Sequence, residues 1–212
     1  MRHEPVRDIS SVAVPLLRDN IDTDQIIPSR EMKSVSREGL ADGLFAGWRY
    51  IDPDSRERVA DFPLNLEPYR GAQILLGGAN FGCGSSREHA VWALREYGFR
   101  VIIAESFGEI FHNNCLRNGV LPVALRGEQV RRIAAAMPAQ VCVDLPSQRI
   151  ELPSGERYPF KIDPFAKRML TEGSDPIELT LTAAPDIEAW LEADRLRRPW
   201  LYGSGLTVSR SS

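Results

Sequence analysis

The stretch Gly82-Cys83-Gly84-Ser85-Ser86-Arg87-Glu88-His89 gathers groups that can do chemistry. Glycines let a backbone approach a ligand closely. A helix starting here offers unpaired N–H groups and about half a positive charge to an anion. Arg87 can clamp a carboxylate through two parallel hydrogen bonds. Ser85 or Ser86 can act as an alkoxide, because positive potential lowers the cost of deprotonation. A plainer reading stands beside this one: Ser85-x-x-Glu88 has the spacing of a capping box, and so has Ser106-x-x-Glu109. Spacing leaves both readings open. A Ser85–His89 nucleophile pair lacks a third group to orient the imidazole. Cys83 is either a thiolate near a helix start or a small turn residue. Arg87 stands where a dinucleotide fingerprint needs its third glycine, and no Gly-Lys-Ser/Thr or G-x-S-x-G motif occurs.

The acidic run Asp19-x-x-Asp22-Thr23-Asp24 is the second candidate. It admits a calcium loop, a solvated turn or a site role, although the glycine and terminal Glu of an EF-hand are missing. His112-Asn113-Asn114-Cys115 matches no metal-ligand spacing and reads as packing or surface on a helix. Cys83, Cys115 and Cys142 are too few and too dispersed for a disulfide framework, which suggests free thiols in a reducing cytoplasm.

These segments need a scaffold, and the pattern is one of strands alternating with helices. Val12–Leu17, Ala72–Leu76, Val101–Ala104, Val120–Leu125 and Val141–Leu145 read as strands. Ser86–Tyr97, Ser106–Asn118 and Gln129–Met137 read as helices, the first two stopped by Gly98 and Gly119. Residues 18–25 read as a loop, and 29–69 as short helices and loops. Asp186–Arg198 reads as an amphipathic helix. The alternation argues for α/β layering. The 212 residues suit one large domain, expected over 1–203, with 204–212 a disordered tail. Apolar residues make up 43% and charged residues 26%, the balance of a water-soluble globular chain. A net charge of −3 argues against a nucleic-acid partner, which would select a basic face. Only three of the 26 cations are lysine, and the arginines are scattered, so this is a composition bias. No apolar run reaches membrane-spanning length, and the polar N-terminus argues against a secretory signal.

The runs Asp19–Pro28, Asn80–Ala90, Trp48-Arg49-Tyr50 and Ser106–Pro122 together resemble the small subunit of 3-isopropylmalate dehydratase. That is the separately encoded swivelling domain of the aconitase superfamily. The resemblance spans about residues 10 to 200 in order and spacing. It implies a three-layer β/β/α domain like the C-terminal domain of aconitase. The implied activity is a hydro-lyase that moves a hydroxyl between adjacent carbons of a malate derivative through an alkene, in leucine biosynthesis. The resemblance gives this chain no cofactor of its own. It places a [4Fe–4S] cluster on a large partner subunit, where iron acts as Lewis acid.

Residue by residue, Ser85 matches the catalytic base, and Ser86 and Arg87 match groups that bind the substrate carboxylate. Asp24 matches a supporting acid–base residue. Arg30 to Lys33 match the loop that faces the substrate's variable side group, with Arg30 and Met32 as substrate contacts and Glu31 and Lys33 completing the specificity loop. Glu31 stands where an aromatic residue is usual, and an ionised group facing an isopropyl group is costly. Either Glu31 points outward or the substrate carries a smaller or more polar group, as in a 2-methylmalate/citraconate paralogue. A non-catalytic binding module is the reading from another class. The loop from Arg30 to Tyr50 is expected to be mobile without its partner.

Overall fold

The computed structural model describes residues 3–32, 38–52 and 54–202. They fall into two compact units, divided after Ser174. Lys33 and the tail at 204–212 lie outside the described residues.

The first unit opens with β1 (Asp8–Leu16), the one-turn helix α1 (Thr23–Ile26) and the short α2 (Ala46–Arg49). A hairpin, β2 (Tyr50–Asp52) and β3 (Glu57–Arg58), follows. Next come β4 (Ile74–Gly77), α3 (His89–Tyr97), β5 (Val101–Ala104), α4 (Glu109–Arg117) and β6 (Leu121–Ala124). The unit ends with α5 (Gly127–Ala135), β7 (Gln140–Asp144), β8 (Arg149–Glu151), β9 (Arg157–Pro159) and α6 (Pro164–Glu172). The second unit holds α7 (Pro176–Thr182) and α8 (Ala184–Arg197).

Seven strands form one sheet in the order β6-β5-β4-β1-β7-β8-β9. β6, β5, β4 and β1 run parallel, whereas β1, β7, β8 and β9 are antiparallel, so β1 belongs to both halves. The mixed α/β architecture agrees with the layered expectation, the two β layers being parts of one curled sheet. Ile74–Gly77 and Val101–Ala104 are buried at every position, as strands covered on both faces must be. Alternate residues serve two cores. Val14, Leu75 and Ile102 pack with Ala90, Leu94 and Phe111 of α3 and α4. Ala13, Ile74, Val101 and Ile103 pack with Val130, Ile133, Val143 and Ile150 on the other side.

Three local expectations need correction. Residues 18–25 are not all loop: Asp22 accepts a hydrogen bond from the Gln25 N–H at 2.7 Å, and the Gln25 side chain accepts from Asp22 N–H at 2.9 Å. This reciprocal cap nucleates α1. Conversely, neither serine capping box forms. Helix α3 begins at His89 and α4 at Glu109, because the capping partners are engaged elsewhere. Ser106 Oγ accepts from Asn80 N–H at 2.8 Å. Glu88 Oε1 accepts from Asn118 Nδ2 at 2.7 Å. The third correction concerns α8, which leaves Ile187, Trp190 and Leu196 exposed, so its apolar residues do not gather on one buried face. Its buried residue is Asp194, which accepts from Arg198 Nε and the Tyr202 hydroxyl, both at 2.7 Å.

Candidate active site

The glycine-rich turn lies at the carboxyl end of β4, between the corresponding ends of β1 and β5. Open crevices of this kind are where α/β sheets place ligands. Isolated parallel pairings, Asp22 with Cys83 and Phe81 with Phe107, tie the three chain segments together beyond the strands. Gly82 N–H donates to Ile21 O at 2.7 Å, and Thr23 N–H donates to Cys83 O at 3.0 Å. Phe81 N–H reaches Ser106 O at 2.9 Å, and Gly108 N–H returns to Phe81 O at 2.9 Å. Glycine is required at two points. Gly82 has φ +74°, and a Cβ there would overlap the Phe111 ring. A Cβ on Gly78 would lie 2.6 Å from Arg18 O.

This scaffold brings Ser85, Arg87 and Asp24 together from segments about sixty residues apart. Ser85 Oγ lies 3.2 Å from Thr23 Oγ1, and Thr23 is itself buried. The Arg87 guanidinium hydrogen-bonds the Asp24 carboxylate, which also accepts from Ser29 Oγ at 3.3 Å. Ser85 and Ser86 are exposed on the bend that precedes α3. Behind them, Trp92 Nε1 donates to Asn118 Oδ1 at 3.0 Å, and Asn118 in turn holds Glu88. This buried amide fixes the start of α3.

His89 does not pair with Ser85; its ring rests on Trp92, with centroids 4.6 Å apart. The calcium reading also fails. Asp19 Oδ1 accepts from Ala79 N–H at 2.7 Å, Asp22 caps α1, and Asp24 faces Arg87. Among the described residues, no three His, Cys, Asp or Glu side chains converge as a metal ion needs. Cys115 is buried, and burial pushes its thiol well above the ordinary value, away from the thiolate a metal ligand requires.

The residues expected around the substrate's side group lie on the 3-10 turn Ser29–Glu31 and just after it. Arg30 is exposed, with Nε 3.5 Å from Glu31 Oε1. Met32 packs on the core. Glu31 does not point outward: its side chain is 6% exposed and accepts from Arg56 Nη2 at 2.6 Å. Room for this inward turn exists because residue 43 is glycine, where a Cβ would meet Glu31 Cβ at 2.6 Å. The hydrogen bond to Glu31 raises the Arg56 pKa further above its ordinary value.

Ser29, Asn118 and Arg56 escaped the sequence reading, and Thr23 entered it only as part of the acidic run, with no role of its own. Thr23 and Ser29 had a signal, since the Asp22-x-x-Gln25 spacing places both beside a short helix carrying Asp24. Asn118 and Arg56 act over separations of 30 and 25 residues and carry no local signal.

Comparison with known proteins adds a second line. The Aconitase C-terminal domain family matches residues 4–128, and LeuD_N matches residues 131–164. The chain is 58% identical over 207 residues to the 3-isopropylmalate dehydratase small subunit of Cupriavidus necator, covering 95% of this chain and 100% of that one. It is 46% identical over 210 residues to the small subunit of the same name from Magnetococcus marinus, covering 94% and 99%. In three dimensions it resembles the 3-isopropylmalate dehydratase (leuD) structure from Methanocaldococcus jannaschii. The TM-score is 0.64 at 25% identity, over 86% of this chain and 99% of that one.

Proposed function

The chain belongs to the family of 3-isopropylmalate dehydratase small subunits, built on an aconitase C-terminal domain, and from that premise we propose that Ser85, Ser86, Arg87 and Asp24 are its share of an active site completed by the large subunit. It is the small subunit of a hydro-lyase of leucine biosynthesis. The observation that carries the site proposal is the convergence of Ser85 on Thr23 and of Arg87 on Asp24, at the carboxyl ends of adjacent parallel strands.

Dehydration breaks a C–H bond on one carbon and a C–O bond on its neighbour, and leaves an alkene. Ser85 is the base: its alkoxide takes the proton from the carbon beside a carboxylate, and the electron pair of that C–H bond becomes the second bond of the alkene. Arg87 and Ser86 bind that carboxylate, which carries negative charge as the proton leaves, so fixed donors there lower the barrier. Asp24 orients Arg87 and leaves other edges of the guanidinium fork free to meet substrate. Rehydration reverses these steps with the positions exchanged. The [4Fe–4S] cluster, assigned to the large subunit, supplies Lewis acidity toward the departing hydroxyl. Ser85 and Ser86 are exposed in this chain, and the large subunit's approach would exclude water from them, strengthening every charge interaction. Glu31 no longer argues for a more polar substrate, because its carboxylate is turned toward Arg56.

The test is Ser85→Ala in the complex with the large subunit. Turnover should fall by about 100- to 10,000-fold, the contribution of a positioned general base. The unfolding free energy from urea titration should fall by less than about 1 kcal/mol, because Ser85 caps no helix. Turnover within ten-fold of wild type would remove Ser85 from the mechanism.

A further inference from the structure

Arg56 is an unusual residue for its position. Its φ is +58°, a left-handed conformation that favours glycine, in the tight turn between β2 and β3. The side chain accounts for an arginine there. Nη2 donates to Glu31 at 2.6 Å, Nε lies 3.2 Å from Asp42 Oδ2, and the guanidinium sits 4.9 Å over the Tyr50 ring. Tyr50 in turn donates to Asp42 Oδ1 at 2.6 Å. Three separate segments therefore meet at one guanidinium. Glu31 and Asp42 hold the guanidinium through Nη2 and Nε. Arg56 is the shorter and less exposed of the two cations on Glu31, at 2.6 Å against 3.5 Å for the more exposed Arg30, and a carboxylate only 6% exposed depends most on that contact.

The consequence reaches the site through one short turn. Glu31 closes the 3-10 turn that Ser29 opens; Ser29 touches Asp24, and Asp24 touches Arg87. Met32 follows directly. We propose that Arg56 is a positioning residue for substrate selection, a latch that holds Glu31 inward so that the turn at 29–32 keeps its carboxylate away from the substrate's side group. Released from Arg56, Glu31 swings to water and carries the turn with it. An apolar isopropyl group then meets a charge, whereas a methyl group, being smaller, loses less. This inference rests on the proposed assignment of the site.

The experiment uses the reconstituted complex with Arg56→Met, Arg56→Lys and the double variant Glu31→Leu/Arg56→Met. Alkene formation is followed with isopropylmalate and 2-methylmalate, and hydrogen exchange of the 29–32 amides is measured in parallel. Arg56→Met should raise KM for isopropylmalate about ten-fold, raise KM for methylmalate less than about three-fold, and leave kcat within about two-fold. The 29–32 amides should exchange faster. Arg56→Lys, which keeps the charge, should recover part of the loss, and the double variant should recover most of it, because no buried charge is left unpaired. Equal changes for both substrates, a loss confined to kcat, or unchanged exchange would overturn the latch. Failure of the parent assignment shows differently, as a wild-type complex that turns over neither malate. Exchange then decides alone: faster exchange in Arg56→Met keeps the latch, and unchanged exchange removes it.

Discussion

Tyr50 shows how much a single side chain can report. It is 5% exposed, and burial, followed by its hydrogen bond to Asp42, raises the phenol above its ordinary 10.0. A group whose pKa is raised by folding contributes stability that is complete below the unfolded value and is lost as pH rises through the folded one. The unfolding midpoint of wild type should therefore fall more steeply above about pH 10 than that of Tyr50→Phe. At pH 8 the variant should be less stable by about 1–2 kcal/mol, the cost of one hydrogen bond to a carboxylate. Parallel alkaline limbs for the two proteins would contradict this. The residue types at the site were readable from the sequence: Ser85, Arg87 and Asp24 stood out by chemistry. Their partners were not, because a hydroxyl's bond to Thr23 or a carboxylate's bond to Arg56 depends on contacts between distant segments. Glu31 makes the point best: its type left either an outward side chain or a smaller or more polar substrate, and the pairing with Arg56 that turns it inward carries no local signal.

At the scale of elements, glycine placement gives the sharpest expectation. Gly82 and Gly71 have nearly the same φ, +74° and +72°, but a Cβ on Gly82 would overlap Phe111, whereas nothing lies within 4 Å of one on Gly71. Gly71→Ala should cost about 1–2 kcal/mol for backbone strain alone. Gly82→Ala should cost about 2–3 kcal/mol more, for overpacking at the turn that joins three strands. Urea unfolding of both variants measures the difference, and equal losses would refute it. The strand–turn–helix alternation was legible because apolar runs and glycine stops are local signals. The capping boxes misled for a physical reason: a serine hydroxyl offered a tertiary partner gives up the local one, as Ser106 does for Asn80. The same chemistry worked for Asp22 and Gln25, whose cap is satisfied within four residues.

At the scale of the molecule, the layered α/β class followed from alternation, but the place of β1 did not. Its pairing with β4 on one side and β7 on the other joins residues 61 and about 130 positions away, which no local pattern encodes. That central strand puts the Asp19–Asp24 segment beside the glycine-rich turn, and so brings the candidate site residues together. The proposed half-site is expected to work only against a large subunit carrying the cluster. The direct measurement is anaerobic co-purification with the large subunit, cluster reconstitution, and ultraviolet detection of the alkene with isopropylmalate and 2-methylmalate side by side. Turnover is expected from the complex, with preference for isopropylmalate, and none from this chain alone. A stable complex with an intact cluster that turns over neither substrate, or activity in the isolated chain, would contradict it.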